Sequence, residues 1–424
     1  MMHKNVRAPL EKARYFAAIA TAFMIPISTS GLGITLGILA VLSLLTSRPS
    51  DWSVTLRFAA ASTPILIFLL MAVGTLWSAQ PLGPGGLSHY VKLLLIPLMM
   101  ATTFTRQEAL HMGYAFAVSC LVILVLSFAS LVWPSGPWAW FKSPGVPVKD
   151  NAVQSTCFAL CAFGLGLLAV KLFMDGHRRK FFVVAALALL FFVDIFLIYL
   201  SKTGMLIALV LLGLFLLRMA GWRRSTILAL PLAIVAVSAA LLSSEAQRRI
   251  VQITTDVHSL RGDNSKAGPT LSTASRIDFW QKAIELIREA PVLGHGTGST
   301  KLLYQQLEME RPSPYGEAVP DPHNQFLAIA IQVGLLGGAL LLTMWISHLR
   351  LFAGPDIVQI FGQAIVIQNV LGSMFNSQIS QVTQGTLYCL AVGVLGGLAL
   401  RRFDRHCRTK GAIVPRSSAL TRVS

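Results

Sequence analysis

The sequence has little charge and still less acid: 12% of its 424 residues are charged, and 18 Asp and Glu stand against 35 Lys and Arg. With 54% hydrophobic residues and a mean hydropathy of +0.65, this excludes a water-soluble globular domain. Cysteine is scarce. Cys120, Cys157, Cys161 and Cys389 fall in apolar runs and Cys407 in a basic tail, which argues against a disulfide framework. Cys157 and Cys161 have helical i, i+4 spacing, but the run around them offers no His or carboxylate to complete a metal site, so they read as packing. There is no GKS or GKT motif, no parallel-sheet context for a nucleotide loop, no internal repeat and no low-complexity tract.

What is present is a series of apolar runs, each long enough for a bilayer-spanning helix. They fall at about 15–28, 31–47, 57–79, 88–104, 111–133, 152–173, 181–200, 203–219, 226–243, 325–348, 357–375 and 386–400. The fold class is therefore all-α: a polytopic membrane protein of about 12 transmembrane helices. Residues 1–243 hold spans one to nine, 244–324 a long polar loop, 325–400 spans ten to twelve, and 401–424 a basic tail. The first two runs are separated only by Ser28 to Gly31, which leaves a tight hairpin and a single broken helix both open.

The net charge of +17 asks first which side of the membrane the cations occupy, rather than whether nucleic acid binds. Lys4, Arg7, Lys12 and Arg14 precede the first run without a small-residue cleavage pattern, which reads as a retained helix. Arg48, Arg57, Arg106, Arg178 to Lys180, Arg218, Arg223, Arg224 and Arg350 fall in alternate breaks, and the tail adds Arg401, Arg402, Arg405, Arg408 and Lys410. The positive-inside rule then puts both termini in the cytoplasm and the long polar loop outside.

Within that loop, residues 275–290 predict an amphipathic helix with Ile277, Trp280, Ile284 and Ile287 on one face, capped by Ser272 or Thr273 and stopped by Pro291. It would lie across the membrane surface or over the bundle. A turn with Gly294, Gly296 and Gly298 follows, then a second helix near 300–310 and a proline-rich stretch that leads into the tenth span.

Several residues there have chemical potential. His323 sits where the loop enters a span, between Asp321 and Asn324; an imidazole there can take a proton near neutral pH, or the group can simply be an interfacial helix cap. Arg276 opens the amphipathic helix, where its donor fork and the first N–H groups could hold a phosphate or diphosphate, or where it could be a solvated surface charge. The amides of the glycine turn could cradle phosphate oxygens or merely close the turn. Lys202, in a four-residue polar break between apolar runs, could meet an anion or snorkel. Lys142 and Lys149, near Trp138 and Trp140, read as interfacial anchors with a weaker claim to phosphate. Asp194 is an acid inside the seventh span, with Gln359, Gln363 and Gln368 as possible partners, and it would be the marker of an ion or proton relay. The uncharged stretch 376–381 could line a sugar-binding cleft.

Taken together, the Ser201–Gly204 break, Arg276 to Trp280, Pro291-x-x-Gly294-x-Gly296-x-Gly298 and the closing His323-Asn324-x-Phe326 resemble the O-antigen ligase and polymerase superfamily. The resemblance implies a GT-C-like membrane glycosyltransferase of the bacterial inner membrane with its site facing the periplasm. It further implies transfer of a glycan from an undecaprenyl diphosphate carrier to the lipid A–core oligosaccharide in ligases, or to a second carrier-linked unit in polymerases, with no cofactor and no metal. On this mapping His323 and Arg276 are the catalytic pair. Lys202, Arg276 and the three glycines bind the diphosphate, and Asn324, Lys142 and Lys149 contact substrate. Lys202 departs from the Arg common at its position and so lacks the bidentate fork. One late outer loop favours a ligase; a polymerase, a protein O-oligosaccharyltransferase and a lipid-linked-glycan transporter dependent on Asp194 remain alternatives.

Overall fold

The computed structural model describes residues 2–80, 85–138, 141, 145–198, 201–221, 272–312 and 321–409. The helices in chain order are α1 (Met2–Ile27), α2 (Thr29–Thr46), α3 (Pro49–Thr55), α4 (Ala59–Val73), α5 (Leu95–Ala101), α6 (Arg106–Val132), α7 (Asn151–Met174) and α8 (Arg178–Val193). Next come α9 (Lys202–Gly221), α10 (Ser272–Glu289), α11 (Thr300–Glu310), α12 (Gln325–Leu351), α13 (Ile357–Ser373) and α14 (Val382–Thr409). Seven described helices are long and apolar enough to cross a bilayer, and the segments Leu87–Ala101 and Ile357–Ser373 are shorter apolar helices. The chain is thus an all-α, multi-pass membrane protein. The expected span at 226–243 lies outside the described residues.

The first two runs form a hairpin. Ser28 breaks the helix and caps α2 by accepting the Gly31 N–H, and the Arg7 guanidinium donates to the Thr46 carbonyl at 2.7 Å, closing the far end. Polar staples then join spans deep in the apolar core. His348 of α12 is fully buried, with one ring nitrogen 2.6 Å from the Tyr388 hydroxyl and the other 2.8 Å from the Ala60 carbonyl. Trp345 donates to Asn369 of α13. Where lipid offers no hydrogen-bond partner, such groups must meet one another.

One sequence expectation changes here. Asp194 does not meet Gln359, Gln363 or Gln368: it accepts from Ser127 at 2.6 Å and lies 3.4 Å from the Gln154 amide. Gln363 instead receives Arg218, Gln359 caps α13, and Gln368 donates to Gln378. A helix presents several neighbours to a side chain, and sequence alone does not say which one it faces.

The bundle has two unlike ends. At one, Arg14 lies 3.5 Å from Glu108, Arg106 and Arg402 both meet Asp356, and Arg401 donates to the Thr102 and Phe104 carbonyls. The other end carries α10 and α11, the start of α12 and the turn before α14. Since α1 runs from Arg7 at the first end to Ile25 at the second, and α14 from Thr383 to Arg402 in the reverse sense, the two ends lie on opposite sides of the apolar core.

Candidate functional site

The site is built by α10 leaning on α12. Its buried face is Phe279, Lys282, Ala283 and Leu286, which pack with Tyr304 of α11 and Ile331 of α12. Of the expected face, Ile277, Trp280 and Ile287 are half-buried, Ile287 packing at the edge of this cluster, while Ile284 is 44% exposed. The sequence carries two apolar stripes on this helix; the one chosen places Lys282 inside, between Asp278 at 3.0 Å and Glu308 at 2.7 Å. A buried ammonium is tolerated because both carboxylates neutralise it.

The glycine turn inserts into a break in α12. Val333 and Gly334 leave helical geometry there, Gly334 with φ +68°. Uninterrupted, the Ile331 and Gln332 carbonyls would accept from the N–H groups four residues on. Instead His295 N–H donates to Ile331 at 2.9 Å, Gly296 N–H to Gln332 at 2.8 Å, and the Pro291 carbonyl takes the Leu335 N–H at 2.8 Å. A Cβ on Gly334 would collide with the Val292 carbonyl, and one on Gly294 would stand 2.5 Å from the Gln332 backbone. The contact lies six to seven residues into α12, roughly 10 Å along its axis.

This arrangement corrects the expected role of Gly294, Gly296 and Gly298. Gly294 N–H donates to Ala290, Gly296 N–H to Gln332, and Gly298 N–H to the Gln332 side chain at 2.7 Å. Thr297 is tied to Gly74 and Met71 at the end of α4. These amides already have acceptors, so the turn is a wedge locking loop to bundle rather than a phosphate cradle.

His323 stands at the mouth above this wedge. Its backbone is left-handed, with φ +49°, and its ring lies 5.9 Å from that of Phe279, tilted 37°. Its N–H donates to Asp321 Oδ1 at 2.9 Å. Trp280 Nε1 donates to the Pro322 carbonyl at 3.0 Å, so α10 grips the same segment. Asn324 is the N-cap of α12: its side-chain oxygen accepts from the Phe326 and Leu327 N–H groups and its amide donates to Met374. That engagement leaves it a structural part, in contrast to the expected substrate contact.

Arg276 lies one turn before Phe279 and Trp280, on the side of α10 that faces His323. Among the described residues its guanidinium has no hydrogen-bond or ion-pair partner. Burial lowers its pKa from the usual arginine value, yet a guanidinium keeps its charge. Lys202 opens α9 beside α7, where Gly204 lies against Ser155, and no described contact joins it to Arg276 or His323. Lys149 is engaged within the protein: its ammonium donates to the Ile25 carbonyl at 2.8 Å and to Thr383 at 2.7 Å. Lys142 lies outside the described residues.

The structure also brings in groups that sequence reading passed over. Gln325 accepts from the Ile379 and Ser380 N–H groups, and Lys92 donates to the Ser380 and Gln381 carbonyls, so the stretch expected to line a cleft is a braced, largely buried turn. Ser377 in that turn donates to Asp321 at 2.6 Å. The one available sequence sign was an Asp two residues before His323, the spacing at which a side-chain oxygen accepts a backbone N–H. A cleft of about 670 Å³ opens elsewhere, at the arginine-rich end, lined by Lys12, Arg14, Tyr15 and His111 among others. It is distant from these groups.

Residues 185–342 match the Wzy_C family model, described as O-Antigen ligase. That stretch includes Lys202, Arg276, the glycine turn and His323. No curated protein matches the chain.

Proposed function

We propose, from the match of residues 185–342 to the O-antigen ligase family model, that this membrane protein is an enzyme of the O-antigen ligase/polymerase superfamily and transfers an O-antigen glycan from undecaprenyl diphosphate to the lipid A–core oligosaccharide at the periplasmic face. The observation that carries this reading is the mouth at the end opposite the paired arginines. There, the His323 imidazole lies against Phe279 and Arg276 sits one turn before Phe279 on α10, neither side chain with a polar partner among the described residues.

The chemistry follows from the bond that breaks. Diphosphate is a competent leaving group, so the enzyme must take a proton from the acceptor hydroxyl and neutralise departing negative charge. His323 is the base. As the acceptor oxygen forms its bond to the anomeric carbon, the carbon–oxygen bond to diphosphate breaks, the hydroxyl proton passes to the imidazole, and Arg276 receives the charge on the leaving phosphate. Lys202 contributes a second, less directional cation. A single displacement inverts the anomeric centre.

The test uses purified full-length protein in detergent or nanodiscs, with carrier-linked glycan and one of three acceptors: core-lipid, a second carrier-linked unit, or an acceptor protein. Transfer to core-lipid alone supports a ligase, and transfer to the second unit makes it a polymerase. Retained anomeric configuration, or full activity of His323→Ala at normal protein level, would sink the mechanism.

A further inference from the structure

On the reading that His323 is the base, we propose that Asp321 is a positioning residue, which holds the His323 backbone in its left-handed conformation and thereby aims the ring. It acts through the peptide and not through the imidazole.

His323 has φ +49°, a region that L residues with a Cβ avoid unless something specific holds them there. Asp321 is that restraint. One of its oxygens, Oδ1, accepts both the His323 N–H at 2.9 Å and the Ser377 hydroxyl at 2.6 Å. The first bond closes a turn between side chain and backbone two residues apart. The second ties that turn to a different part of the chain, which is braced from below by Gln325 and Lys92. Pro322 fixes the φ of the intervening residue, and Trp280 holds its carbonyl at 3.0 Å. The three-residue segment is thus gripped from α10, from the turn before α14 and from its own first residue.

What remains unrestrained by hydrogen bonds is the imidazole. No described group donates to or accepts from it; its described ring contact is Phe279. A base that must meet an incoming hydroxyl needs a ring nitrogen free to accept its proton, yet it must be aimed, and a misplacement of about 1 Å can cost on the order of 100-fold in rate. Backbone restraint supplies aim without occupying the nitrogens. A carboxylate bound to the ring would instead raise the basicity of the imidazole through its charge.

The two roles separate in Asp321→Asn. The amide oxygen can accept the same two donors, but the charge is gone. Glycan transfer by the purified full-length protein is measured for Asp321→Asn, Asp321→Ala, Ser377→Ala and His323→Ala. For Asp321→Ala the expected result is kcat lower by about 100-fold with KM for the carrier-linked glycan nearly unchanged. Asp321→Asn and Ser377→Ala should stay within about fivefold of wild type, since each leaves the bond to His323 N–H in place. The acid limb of the kcat/KM profile should keep its midpoint in Asp321→Asn.

The proposal is overturned by Asp321→Asn as inactive as Asp321→Ala, or by an acid limb displaced downward by about one pH unit, the sign that a carboxylate charge acted on the ring. Wild-type kcat in Asp321→Ala overturns it equally. Should Asp321→Ala fail to accumulate, Asp321→Asn and its pH profile still decide. Full activity of His323→Ala removes the base assignment itself, and that result is read independently of every Asp321 variant.

Discussion

At the arginine-rich end of the bundle the cations that pack against the core have partners; at the other end Arg276, on the side of α10 that faces His323, has none among the described residues. Arg14, 3% exposed, meets Glu108, Thr46 and the Thr103 carbonyl and lies 4.9 Å over the Phe104 ring. Arg106 and Arg402 share Asp356, and Arg218 grips Gln363. Across the core, Lys149 and Lys92 are likewise bound to carbonyls. Arg276 and Lys202, by contrast, have no hydrogen-bond or ion-pair partner among the described residues. Charge alone does not mark a binding residue in a membrane protein. What separates a cation that holds helices together from one able to meet a ligand is whether its donors are already engaged.

The comparison can be broken by substitution. The largest effect is expected at the mouth: His323→Ala should lower glycan transfer by about 10²- to 10⁴-fold, with unchanged thermal unfolding, as measured by initial rates and a detergent-based melt. Next comes Arg14→Ala at the opposite end. It leaves Glu108 and a buried pocket without their cation and should cost about 3–5 kcal/mol in stability, read by chemical denaturation, while turnover per folded molecule stays the same. If that variant instead slowed transfer at normal stability, the two ends would not be functionally distinct.

Arg276→Ala should reduce kcat by about 10²- to 10³-fold through loss of charge stabilisation. Arg276→Lys should recover only part of it, because the ammonium lacks the fork that meets two phosphate oxygens. The smallest effect is expected for Lys149→Met, which removes the hydrogen bonds to Ile25 and Thr383. A loss of about 1–3 kcal/mol in stability with near-normal transfer would sharpen the distinction between bonded and available cations; a large drop in kcat would return Lys149 to the substrate.

Much of the architecture was legible along the chain. The helix at Thr300–Glu310, the start of α12 after Asn324 and the end of α10 before Pro291 follow from capping and breaking residues. The break at Gly334 was not legible, because a single glycine in an apolar helix is common and becomes a kink only when another segment supplies the missing hydrogen bonds. For the same reason the glycine turn looked like a row of available amides. In isolation its His295 and Gly296 N–H groups have no acceptors, and the carbonyls of Ile331 and Gln332 provide them only once α12 is interrupted.

The order of apolar runs and the cations between them determined by themselves that this chain is a helical membrane protein, and the residues of the loop made His323 and Arg276 candidates. Those features depend on local composition and on lipid as solvent. Only the tertiary structure decided that Phe279 and Lys282 are buried on α10, that the glycine amides are engaged, and that Asp321 accepts from both the His323 N–H and Ser377. Each of these turns on which of several chemically equivalent partners lies within hydrogen-bond or van der Waals reach, and those forces act over a few ångströms between residues far apart in the chain.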